Sequence, residues 1–199
     1  LMEKKVFNRY GKRQKSVPHK SIKDLTQIAS PAFILADEKR AALLLKIEQA
    51  CFLESERFTD VCFSLIGNLV NHCQLLPETA NNYYAQPGGL LDHALNRTEA
   101  ALALFRQFVI HDEQEEWSEE QKLWQYALYS AALLQGIGKL QIDYQVNLYD
   151  TNGHSLTQWN PLLRSLAASG SYYNYAFTKE VEVDFRRRLN LLRSEERRV

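Results

Sequence analysis

The sequence predicts an all-α protein, a helical bundle with a short irregular or extended insert near residues 140–160. Three observations carry that expectation. Apolar residues recur every three or four positions over most of the chain, the period of helices with one buried face. Only 8 glycines and 5 prolines punctuate 199 residues, too few for a turn-rich β fold. A hydrophobic fraction of 45% is enough to fill a core.

Residues 1–30 read as a basic arm. The first 23 positions carry eight basic side chains against one acid, Glu3, a local charge of +7. Val6, Phe7, Tyr10, Val17 and Ile22 lie among those charges, and Phe7, Arg9, Tyr10, Lys12 and Arg13 are candidate docking residues. Cations mixed with apolar anchors suit a segment that orders on an acidic, partly apolar partner surface. A solvated tail and a phosphate-contacting arm are the alternative readings.

A folded domain is expected over 31–180. Asp37 is placed to N-cap a helix that runs to Phe52. Phe58, Val61, Cys62, Leu65, Leu69 and Cys73 mark a second helix over 54–76, which Pro77 would stop. Asn81, Asn82, Pro87, Gly88 and Gly89 make 78–89 a loop that holds Tyr83 and Tyr84. Helical period returns from Leu90 to Ile110.

An acidic loop follows at 111–120, where Ser118 suits a helix start. Residues 123–135 are apolar nearly all round, so this helix is expected to be the most buried element; Gly136 and Gly138 end it. Residues 142–148 read as extended, Asp150 to Gly153 as a turn, and Gln158 to Leu162 as a chain reversal. Residues 181–199 are an Arg-rich C-terminal helix or tail, with Val181, Phe185, Leu189 and Leu192 on one helical face.

Composition excludes several function classes. The 24 basic and 24 acidic residues cancel, so net charge gives no argument for nucleic-acid binding. No apolar run reaches ~18 residues, and no transmembrane helix is expected. Leu1 to Lys5 is not followed by an apolar stretch, so no signal peptide is expected either. Cys51, Cys62 and Cys73 are an odd set without a paired-cysteine motif. They read as small buried hydrophobes rather than a disulfide frame or zinc site, and a reducing compartment fits. Dinucleotide, P-loop, serine-hydrolase and zinc-protease signatures are missing.

Two stretches are specific when taken together. One runs from Leu76 through Pro87-Gly88-Gly89-Leu90-Leu91-Asp92-His93. The other runs from Ala131 through Leu134-Gln135-Gly136-Ile137-Gly138-Lys139 to Trp159-Asn160-Pro161. Their order, and the 42 residues from His93 to Gln135, resemble an HD-type phosphohydrolase domain. More closely, they resemble the TraI-type relaxase domain of conjugative elements.

The resemblance implies an HD-domain-like helical bundle over 31–180. It also implies a metal site built from a histidine after the Gly-Gly-Leu-Leu turn, a His-Asp pair at a helix end and a later aspartate. This chain keeps His93, but Gln135-Gly136 stands where the His-Asp pair would be. Asp184 is the candidate late carboxylate. His93, Gln135, Gly136 and Lys139 are thus read as the relic of that site, with no catalytic residue, metal or cofactor assigned. His93 as a working metal or phosphate ligand, and Lys139 as a phosphate contact, are the alternatives.

The resemblance further implies a non-catalytic scaffold or adaptor of a type IV secretion or conjugation apparatus. Its partners would be protein subunits, with nucleic acid the lesser candidate. Its place would be cytoplasmic, at the cytoplasmic face of an inner-membrane complex. The alternative is a metal-dependent, relaxase-type DNA-processing protein. Tyr83, Tyr84, Tyr172, Tyr173 and Tyr175 are read as packing residues, or else as an aromatic interface rim.

Overall fold

A computed structural model describes residues 19–108 and 116–178. The docking residues Phe7, Arg9, Tyr10, Lys12 and Arg13, the Arg-rich segment 181–199 and its Asp184 lie outside the described residues.

The fold is mixed α/β, which corrects the all-α, HD-like bundle expected from the sequence. Strand β1 (Thr26–Gln27) is followed by α1 (Pro31–Leu35), α2 (Glu38–Ala50), α3 (Ser55–Arg57), a π-helical turn (Phe58–Phe63) and α4 (Ser64–Cys73). Then come α5 (Gly89–Phe108), α6 (Glu119–Leu134), α7 (Lys139–Ile142), β2 (Tyr144–Tyr149), β3 (Ser155–Gln158) and β4 (Tyr172–Phe177). The strands form one antiparallel sheet in the order β1-β4-β2-β3.

The supposed insert is therefore half of a sheet. Strand β2 buries Tyr144, Val146 and Leu148 and exposes Gln145 and Asn147, a period of two. Its partner β4, Tyr-Tyr-Asn-Tyr-Ala-Phe, is rich in the aromatics that strands favour. Tyr144 pairs with Phe177 and Tyr149 with Tyr172. The reading of 142–148 as extended was sound, but it lacked this distant partner.

The helices begin where local chemistry places them. Asp37 caps α2 by accepting from the Lys39 and Arg40 amides. Ser118 and Gln121 close a capping box at the start of α6. The second helix ends earlier than Pro77, at Gln74, whose φ is 43°. That fully buried side chain is satisfied by bonding Ala29 N, Ala29 O and Val70 O, which ties α4 to the chain between β1 and α1.

One core cluster spans helices and sheet, from Ile47, Ile66 and Leu91 to Leu133, Leu148 and Tyr173. Helix α5 lies between α2 and α6. The expectation that α6 is the most buried element is corrected. It buries Gln125, Tyr129, Ala132 and Leu133, while Leu123 and Trp124 are 65% and 63% exposed. Its fully buried polar side chains face α2 and the π-turn, where Gln125 bonds Phe52 N and Ala50 O and Tyr129 bonds Cys62 O. Among the described residues, no helix is long and apolar enough to cross a membrane.

Candidate functional site

The two stretches singled out in the sequence meet in space. The 77–88 loop folds back on itself: the Glu78 amide donates to Tyr84 O at 2.8 Å, and the Gly88 amide to Leu75 O at 2.9 Å. Gly88 has φ +79°, and a Cβ there would strike the Arg40 guanidinium; a Cβ on Gly89 would strike the Tyr84 carbonyl. The glycine pair is thus required for α5 to start against its own loop. Arg40 then anchors that start, with Nε on Asp92 Oδ1 at 2.7 Å and a second nitrogen on Ile34 O at 3.1 Å.

His93 lies one residue along α5. Its ring stacks on Tyr84, centroids 4.7 Å apart and planes 15° from parallel. Its Nδ1 is 3.4 Å from Glu78 Oε1, but it is buried and makes no hydrogen bond. Glu78 takes its ion pair from Lys139, at the start of α7. The loop is further held by Tyr144, whose hydroxyl donates to Pro77 O at 2.5 Å.

Arg97, one turn after His93, closes the cluster. Its guanidinium donates to Ala132 O and Gln135 O, both at 2.7 Å. These are carbonyls at the C-terminal end of α6, which a helix leaves without internal partners. A cation is favoured there by the helix dipole as well. Burial lowers the Arg97 pKa, and Glu78 and Tyr84 oppose that shift; a guanidinium remains charged regardless.

A cavity of about 10 Å³ remains between Glu78, Arg97, Gln135, Gly136 and the apolar wall of Leu69, Leu90, Ala94, Leu133 and Ile137. That is room for roughly one water.

These residues do not fit a divalent metal. Among the described residues, His93 and Glu78 are the pair of suitable donors that face each other here, and Lys139 and Arg97 already bring two positive charges to the same spot. Gln135 uses its backbone carbonyl on Arg97. Among the described residues, no group of three or more His, Cys, Asp or Glu side chains is placed to hold a metal ion.

A family model, TraI_2, described as "Putative helicase", matches residues 26–183. The chain belongs to the TraI_2 family. It is a conjugation-related domain of the relaxase or helicase type. No curated protein matches it.

Within this TraI_2 domain, the structure brings together His93, Gln135, Gly136 and Lys139, the four positions singled out in the sequence. Sequence reasoning missed Glu78 and Arg97. Arg97 sits at i+4 from His93, the spacing that places two side chains on one helix face, and that signal could have found it. Glu78 follows Pro77 in the quoted stretch, but nothing in the sequence marked it as the partner of Lys139. Of the tyrosines, Tyr84 stacks on His93, Tyr83 is 90% exposed, and Tyr173 is buried with its hydroxyl accepting from Leu75 N.

Proposed function

We propose that this TraI_2 domain is a non-catalytic scaffold of a conjugation or type IV secretion apparatus, docking protein subunits at the cytoplasmic face of an inner-membrane complex. In this reading its polar cluster is the remnant of a metal site. The observation that carries it is Arg97. A fixed guanidinium bonded to the end of α6 joins α5 to α6 at the junction where the resemblance puts a metal. The Lys139–Glu78 pair neutralises the Glu78 carboxylate and links α7 to the loop. Fixed charges of this kind hold a junction together without activating water. The proposed arrangement has a docking arm at 1–30, the domain over 31–180 and an Arg-rich segment at 181–199, with protein partners ahead of nucleic acid.

A second reading keeps a DNA-processing, metal-dependent activity. It is favoured by the family description and by His93 Nδ1, a buried donor or acceptor with no hydrogen bond.

Transfer frequency from donor cells carrying the element separates the two. A scaffold tolerates His93→Gln with transfer unchanged, while deletion of residues 26–183 abolishes it. A catalytic site loses about 10²-fold or more in transfer with His93→Gln. That loss, in a variant shown to be folded, overturns the scaffold reading.

A further inference from the structure

Helices α5 and α6 share an exposed apolar seam. The two run antiparallel. At one end Arg97 of α5 reaches the Ala132 and Gln135 carbonyls of α6. At the other end Phe52 meets both helices, its ring 6.0 Å from that of Phe105 and its amide donating to Gln125. Leu104 and Phe108 continue the Arg97 side of α5, close to two and three turns further on. Trp124, Leu128 and Ala131 succeed one another in the same way along α6. Leu104, Phe108 and Trp124 are 54%, 80% and 63% exposed. Large apolar side chains gathered on one face mark a docking surface.

We propose that this α5–α6 seam is the docking site of the chain's own residues 181–192, which lie outside the described residues.

Position, length and charge all point to that occupant. The chain leaves β4 beside α7, where the Thr178 amide donates to Asp143 O at 2.8 Å. Helix α7 begins at Lys139, which pairs with Glu78 in the cluster that also holds Arg97. The segment thus sets out from the Arg97 end of the seam. Val181 comes three residues after Thr178, up to about 10 Å of extended chain. Val181, Phe185, Leu189 and Leu192 then recur at helical spacing. As a helix, their eleven steps cover about 16 Å, the same length as the eleven steps from Arg97 to Phe108.

The charges match in the same direction. The segment starts acidic, with Glu180, Glu182 and Asp184, and turns basic at Arg186, Arg187, Arg188 and Arg193, with no acid from 185 to 194. The seam runs the opposite way. Arg97 and Lys139 stand at the end where the segment begins. Exposed Glu116 and Glu120 stand at the end where its arginines arrive. Glu120 sits on the seam itself, accepting from Trp124 Nε1 at 3.4 Å. Apolar anchors supply the contact and the charge gradient sets its direction. This docking is independent of the scaffold reading.

Hydrogen–deuterium exchange of the full chain, read by mass spectrometry on its C-terminal peptides, is the test. Residues 181–192 should exchange at least about tenfold more slowly than in a synthetic peptide of residues 179–199. Leu104→Asp and Phe108→Asp, each shown folded by circular dichroism, should return the segment to the rate of the free peptide. Phe185→Asp should do the same, and it changes no residue of the helices. Exchange of 181–192 at the free-peptide rate in the wild-type chain overturns the proposal. Protection that survives both Leu104→Asp and Phe108→Asp overturns it as well, because the segment then docks elsewhere. Protection that appears only at concentrations where sedimentation shows a dimer assigns the seam to a second copy of the chain, and also overturns it.

Discussion

Leu133→Asp is expected to unfold the domain. Leu133 is 1% exposed on the inner face of α6 and belongs to the central cluster. Truncating such a leucine costs about 2–5 kcal/mol. Forcing a carboxyl group into the same site, charged or neutral, adds roughly 2 kcal/mol or more. The sum approaches the whole stability of a typical domain, about 5–15 kcal/mol. Leu123 lies on the same helix but is 65% exposed, so Leu123→Asp should change stability by only about 0.5 kcal/mol. Urea titration followed by circular dichroism checks the pair. Equal midpoints for Leu133→Asp and wild type would show that the inner face of α6 is misplaced.

Arg97→Met should give the second large effect. Methionine keeps an apolar stem of similar reach, so the change isolates the guanidinium. Two hydrogen bonds from a charged donor are lost, and the terminal carbonyls of Ala132 and Gln135 lose their partner. Hydrogen bonds to charged groups contribute about 1.5–3 kcal/mol each, and exposed carbonyls recover part of that from water. A net loss of roughly 2–4 kcal/mol follows, or a Tm lower by about 5–15 °C. Arg97→Lys should recover only part of it, since an ammonium cannot serve two carbonyls with one planar fork. A calorimetric melt of Arg97→Met coincident with wild type would show that the cation does not hold α5 to α6.

The helices were legible because their signals are local. Asp37, Ser118 and the Gly88-Gly89 pair announce their roles within a few residues, and α2, α5 and α6 lie close to where periodicity puts them. The sheet was not legible for the opposite reason. Strand β2 pairs with β4 across more than twenty residues and β1 pairs with β4 across most of the described domain, so no short window holds both partners. The apolar count of α6 misled because an apolar residue need not be buried: Leu123 and Trp124 face outward while Gln125 faces inward. At the site, His93, Gln135, Gly136 and Lys139 were visible as a pattern. Arg97 shares a helix face with His93, but its role, like that of Glu78, became visible only when the fold set a guanidinium on the end of α6 and a carboxylate beside Lys139.

The central claim is that fixed cations, rather than a metal, hold this junction. Thermal melts of the full chain in excess chelator and in excess Mn²⁺ or Zn²⁺ test it most directly, because an ion that binds only the folded form at 100 times its Kd adds about 2.7 kcal/mol of stability. The Arg97 and Lys139 cluster predicts the same Tm in all three solutions. A Tm that rises by several degrees with metal, and ceases to rise in His93→Gln, would contradict it.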